Sequence, residues 1–294
     1  MSTARGSIAA LAILAAAATP AAAQGPGGTE IYLVRLTNRG SVPTLSEPVN
    51  ITQRVGYDNQ PSFSPDGSLV YYTSYRNGQA DAYVYVLADR TTRQVTDTPE
   101  SEYSPTVMPA GNRFSVVRVE RDSTQRLWTF AIDGSDPQLL IPSVAPVGYH
   151  TWLDEEIVAL FVLGSPNTLQ MFHALAGSPM WVADNVGRTL TRHPTTGDLT
   201  FLQHTETDER WVTVQETESG AFRRLTQTPA NEFFAWTPDG TLLSGDGSRL
   251  LAFRPGDAGW REIADFASAG LTGITRIAVS TDGTLVAFVA AEGS

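Results

Sequence analysis

Cysteine and lysine are both missing from this 294-residue chain, and all twenty of its basic residues are arginine. Without a thiol there is no lipid-bearing cysteine, no disulfide framework, no thiolate nucleophile and no thiolate metal site. Packing alone must hold the protein together, and a chain of this length can bury a core large enough to do so. Positive charge is scarce. Thirty-one acidic residues leave a formal net charge of −11, a surface that repels phosphate backbones and anionic lipid, so nucleic acid is not expected as a partner. Long apolar runs are also lacking. The longest, Ile8 to Ala18, falls short of the ~20 residues needed to cross a bilayer, so no membrane insertion is expected. Three motifs of common chemistry are absent: the Gly-x-Ser-x-Gly elbow, His-Glu-x-x-His and a phosphate-cradling glycine loop.

That one apolar run follows a short segment carrying Arg5 and precedes the small-residue stretch "TPAAAQ". The arrangement reads as a secretory signal peptide over residues 1–23, cut between Ala23 and Gln24. Residues 24–28 then form a flexible, glycine-rich start to the mature chain, which is expected in the periplasm or secreted. Loss of Arg5 makes the mature protein one charge more negative.

The remaining sequence is periodic. "FSPDGSLVYYTS" from Phe63 returns in altered form as "VMPAGNRFSVVRV", "WLDEEIVALFV", "HPTTGDLTFLQH", "WTPDGTLLSGD" and "VSTDGTLVAFVA". The turn residues are Gly67, Gly111, Glu155, Gly197, Gly240 and Gly283, spaced by 44, 44, 42, 43 and 43 residues. Pro65 presets the first corner of its turn, Asp66 caps it, and Gly67 supplies a positive φ. After each hairpin come a strand-like segment with a large apolar centre, such as "ADAYVYVL", and a shorter one, such as "TRQVTD". Four strands every 40 or so residues, with no long helical periodicity, predict an all-β propeller. The last period ends after two strands. "TEIYLVRL" (Thr29 to Leu36) and "EPVNITQ" (Glu47 to Gln53) match the missing pair, so residues 29–294 should form a single six-bladed ring sealed by its own N-terminal strands. Phe63, Val107, Trp152, Trp236 and Val279 should wedge between blades, with Tyr32, Tyr83, Trp128 and Trp211 further out.

The segments "PSFSPDGSLVYYTS", "AWTPDGTLLSG", the "DAYVYVL" strand and the "QVTD" and "RLTQ" strands resemble TolB-type propeller repeats, in which an aromatic precedes Ser-Pro-Asp-Gly. The resemblance implies an exported six-bladed propeller with a tendency to bind partners. Between Ala23 and the first strand there is room only for a linker, so the N-terminal α/β domain that TolB carries is not expected here. Some related propeller lyases hold a metal with histidines and a glutamine around the channel. Here only His150 starts an inner strand; His193 takes an aromatic packing position, His204 a second strand and His173 a third. No metal and no cofactor are therefore expected, and the acidic turns at Asp66, Asp239 and Asp246 read as turn chemistry rather than calcium ligands.

The segments that enter the inner strands, "GYDNQP", "ESEYSP", "VGYHTW", "VGRTLT", "ANEFFAW" and "GITRIA", should ring one mouth of the central channel. They nominate Asp58, Glu102, Tyr149, His150, Arg188 and Glu232 as ligand-binding residues, accompanied by Tyr57, Tyr103 and Phe233. The resulting expectation is a monomeric, non-catalytic propeller that binds a protein or peptide through this mouth. The alternatives are a saccharide lyase or hydrolase using His150 with Asp58, Glu102 and Glu232 as acid–base groups, and a glycan-binding module.

Overall fold

A computed structural model describes residues 26–38, 43–174 and 177–292. The proposed signal peptide lies outside the described residues. Six antiparallel sheets stand in a ring, and the strands of the first five run outward in sequence order. Their innermost strands are Asp58–Phe63, Ser101–Val107, Val147–Trp152, Val186–Arg192, Phe234–Trp236 and Ile277–Val279. Each touches the next, and the sixth touches the first. The protein is an all-β six-bladed propeller; among the described residues a 3-10 turn at Ala267–Ala269 interrupts the strands.

The ring is sealed where the sequence predicts. Thr29–Asn38 pairs antiparallel with Leu285–Ala291, from Thr29 opposite Ala291 to Arg35 opposite Leu285. The first and last strands of the chain therefore share one sheet, and neither is left with an open edge. The outermost strand of this blade is shorter than "EPVNITQ" suggests. Only Val49 and Asn50 pair, with Leu33 and Tyr32. Asn50 ends the strand because its Oδ1 accepts the backbone N–H groups of Thr52 (3.0 Å) and Gln53 (2.9 Å), turning the chain away. An unpredicted strand, Pro43–Leu45, folds back onto Leu36–Asn38.

Why the hairpins recur is visible in their backbone. The turn residues Gly67, Gly111, Gly197, Gly240 and Gly283 all hold φ between 70° and 80°, a region costly for any side chain with a Cβ. In three of these turns an aspartate just before the glycine caps the turn. Asp66 Oδ1 accepts from Ser64 Oγ and Ser68 N, Asp239 Oδ1 from Thr237 Oγ1 and Thr241 N, and Asp282 Oδ1 from Ser280 Oγ and Thr284 N. The acidic groups at Asp66 and Asp239 are thus engaged by their own turns. In the third blade Asp154 replaces the glycine solution, accepting from the N–H groups of Glu156 and Ile157.

Six hydrophobic clusters fill the six seams, and strand alternation feeds them. Tyr71 packs with Phe114 and Phe130 toward the second blade, while its neighbour Tyr72 packs with Ile31 and Val289 toward the sixth. Second strands are consequently apolar on both faces, which is why "LVYY" and "IVALFV" read as unbroken hydrophobic runs. Val107, Trp152, Trp236 and Tyr83 are buried in seams; Phe63, Val279, Trp128 and Tyr32 are half-buried against them. Trp236 donates from Nε1 to Thr200 Oγ1 (3.1 Å) and meets the His193 ring edge-on at 4.6 Å. Trp211 differs: it is half-buried beneath the Arg224 guanidinium.

Candidate functional site

The entry segments do converge. They bound a cavity of about 740 Å3 at one mouth, lined by Tyr57, Tyr103, Tyr149, Arg188 and Glu232 among others. It leads to a channel cavity of about 330 Å3 that shares Gln60, Tyr149 and Arg188 and adds Ser104, His150, Phe233 and Arg276. Both volumes lie in the range of small-ligand pockets. Inner strands of the first four blades each carry a register shift near this point, between Asn59 and Ser62, Tyr103 and Thr106, Val147 and Tyr149, and Val186 and Leu190. Such bulges re-aim side chains. At two of them Gln60 and Ser104 adopt φ of 60° and 54°. Gln60 Oε1 accepts the Ser104 N–H (2.8 Å) and the Thr73 hydroxyl (2.7 Å), which ties the first two blades together.

On one side of the mouth Arg188 and Glu232 form a fork. The Glu232 carboxylate accepts the Arg188 backbone N–H at 3.0 Å and its Nε at 3.3 Å. Burial pushes the Glu232 carboxyl up, but these Arg188 hydrogen bonds and charge outweigh it and hold the group below its ordinary value. Gly187 makes the approach possible, since a Cβ there would sit 2.3 Å from Leu202 and 3.1 Å from Glu232 Oε2. Beside the fork, Phe233 lies under two guanidinium groups, Arg188 at 5.1 Å and Arg276 at 4.4 Å, and Arg276 also covers the Tyr149 ring at 4.6 Å. Tyr57 completes the aromatic wall. Burial pushes its hydroxyl up to about 12, so it stays protonated as a hydrogen-bonding group.

Three of the six nominated residues, Tyr149, Arg188 and Glu232, therefore line the mouth together. His150 lines the channel behind it, and Asp58 and Glu102 line neither cavity. Asp58 is fully buried, paired with Arg54 Nη1 at 3.1 Å. Glu102 is fully buried behind the second blade's wall, accepting Thr98 Oγ1 at 2.5 Å with Arg118 Nε at 3.3 Å, and burial pushes its carboxyl up to about 7. His150 is buried, and desolvation lowers its pKa to about 3. Its Nε2 lies 2.6 Å from Ser115 Oγ, which also accepts Trp152 Nε1 (3.0 Å). The imidazole is neutral and tied to a serine rather than a carboxylate. Among the described residues no cluster of three His, Cys, Asp or Glu side chains has metal-holding geometry.

Two channel residues escape a reading by segment. Arg276 is the one charged residue in "GITRIA", and that isolation in an otherwise uncharged entry segment is the signal that marks it. Gln60 acts through its bulged backbone, which sequence pattern does not reveal.

With this geometry in view, solved structures of the same shape are informative. A TolB-assigned protein of Agrobacterium tumefaciens matches with a TM-score of 0.72 at 15% identity, covering 92% of this chain and 100% of that one. The chain is a TolB-like propeller in fold. TolB from Acinetobacter baumannii follows this fold at a TM-score of 0.62 and 14% identity over 91% of this chain, which spans 64% of that protein. A gluconolactonase from Xanthomonas campestris matches at 0.63 and 11% identity, over 92% of this chain and 99% of that one. No protein-family model and no curated protein matches. At these identities the likeness is one of architecture, which hosts binding proteins and enzymes alike.

Proposed function

We propose that this TolB-like propeller is an exported, monomeric, non-catalytic protein that binds a peptide segment of a protein partner in its channel mouth. The observation that carries this reading is the composition of the mouth wall: Tyr57, Tyr103 and Tyr149 with the Arg188–Glu232 fork. Rigid aromatic side chains beside an arginine are the side chains that anchor protein recognition. The Ala-rich leader "AALAILAAAATPAAAQ" supports export.

A saccharide lyase or hydrolase would need His150 and carboxylates converging on one substrate bond. Asp58 and Glu102 lie behind the wall, and His150 faces a serine hydroxyl, so the geometry favours binding. The test is a selection of random peptides on the immobilised protein, repeated on a Tyr149→Ala/Arg188→Ala variant whose thermal unfolding is checked in parallel. Selected peptides should bind the native mouth and lose at least about tenfold in affinity on the variant. Equal binding to both proteins would move the site elsewhere, and turnover of a polysaccharide panel by the purified protein would favour the enzyme reading.

A further inference from the structure

The charges of the mouth do not balance. Among the described residues lining the two cavities, Arg188 and Arg276 are the cations and Glu232 is the carboxylate. Glu232 is engaged by Arg188 through three contacts. The Arg276 guanidinium, half-buried in the channel, has ring faces for company, Tyr149 and Phe233, and among the described residues no carboxylate within ion-pair distance. Aromatic faces hold a guanidinium in place while leaving its N–H edge free, and that edge has the fork geometry that matches a carboxylate. Two polar atoms enclosed behind the same cavity wall, His150 Nδ1 and Ser104 Oγ, have no hydrogen-bond partner among the described residues. The Nε2–H tautomer of His150 lets Ser115 accept from both His150 and Trp152 while donating to the Thr106 carbonyl (3.2 Å). A bound ligand that supplies acceptors to Arg276 would satisfy what the fold leaves open at the cavity surface.

We propose that Arg276, seconded by Arg188, is a carboxylate-binding site in the channel, and that the peptide taken up by the mouth is held there by a carboxylate group. This rests on the peptide-binding reading and names its anchor. A carboxylate on a peptide is either its C-terminus or an Asp or Glu side chain, and both present the same two oxygens. In a protein of net charge −11, long-range attraction does not favour an anion, so discrimination falls to the close pairing itself.

The experiment uses small probes, which need no knowledge of the natural partner. N-acetyl-Ala-Ala-Ala as the free acid, the same tripeptide as its amide, N-acetyl-Ala-Glu-Ala amide and galacturonic acid are titrated into the full-length protein. Binding is followed calorimetrically and by the arginine Nε–Hε resonances. At least one carboxylate-bearing peptide should shift the Arg276 resonance saturably and bind about tenfold or more tightly than the neutral amide. The free acid and the glutamyl amide tell the two peptide sources apart. Arg276→Gln should abolish that preference without moving the melting temperature, whereas Glu232→Gln, which removes the competing carboxylate, should strengthen binding. The proposal is overturned if the neutral amide binds equally well, if no probe shifts Arg276, if Arg276→Gln leaves the affinity unchanged, or if galacturonic acid alone binds. Peptides selected at the mouth that carry no carboxylate preference would overturn this anchor while leaving the peptide-binding reading intact.

Discussion

Two charged clusters flank the same channel mouth, and they have opposite fates. On the side of the first two blades, Glu102, Asp81 and Arg118 are sunk behind the wall with the half-buried Glu100 at its edge: Arg118 reaches Glu100 at 2.6 Å and Glu102 at 3.3 Å, and Gln79 and Gln94 donate to Asp81. On the side of the fourth to sixth blades, Arg188, Glu232 and Arg276 open onto the cavities with one cation in excess. Equivalent entry segments supply Glu102, Arg188, Glu232 and Arg276. The difference lies in what covers them. The enclosed charges are engaged by groups of the fold itself, Arg118, Thr98, Gln79 and Gln94, whereas the Arg276 guanidinium at the channel is held by ring faces. An ionisable residue at the top of an inner strand is therefore no sign of function until its surroundings are known.

The contrast can be broken by substitution. Trp236→Ala, which empties part of the seam between the fourth and fifth blades and removes the hydrogen bond to Thr200, sets the scale and should cost about 3–5 kcal/mol in urea unfolding. Arg118→Ala, which strips the enclosed cluster of its cation and its stacking on Trp128 at 4.6 Å, should cost about 3 kcal/mol. If it were neutral, the enclosed cluster would not be structural. The enclosed cluster also responds to pH. Burial raises the Glu102 carboxyl from its ordinary 4.5 to about 7, against hydrogen bonds from Thr98 and Thr96 and the charge of Arg118, with Asp81 adding to the rise. Between those values the folded state binds more protons than the unfolded one, so stability falls as pH rises through that window. The loss attributable to this residue should be on the order of 3 kcal/mol, and Glu102→Gln should flatten it in a pH series of unfolding curves. Arg276→Gln, by contrast, should change stability by less than about 1 kcal/mol, the scale of exposed cation–π contacts, while removing carboxylate binding.

Most of the fold was legible because each repeat is a local statement. A turn glycine with φ near 75° must be glycine or something close to it, and an interval of about 43 residues fixes the unit, so the count of blades and the closing partner of Leu285–Ala291 follow from arithmetic on the chain. What the repeats did not carry was the depth of individual side chains. Asp58 and Glu102 occupy the same kind of segment as Glu232, yet Arg54, four residues before Asp58, and Arg118, opposite Glu102 on the next strand, pair with them away from the channel, and a charge pattern alone does not say on which side of the wall a pair lies. The early end of the outermost strand at Asn50 was equally hidden, since the side-chain acceptor that stops it competes with a strand pattern that continues past it. Arg276 stands in a segment with no other charge, and nothing local shows that Tyr149 and Phe233 of other blades hold its guanidinium at the channel.

Binding at the channel mouth can be seen or refuted at atomic detail. A crystal structure of the protein grown with one of its selected peptides tests it most directly. The account predicts the peptide inside the mouth, against Tyr57, Tyr103 and Tyr149 with a carboxylate oxygen on Arg276. A peptide seated instead on the outer strands, against the exposed Met180, Trp181 or Phe222, would contradict it.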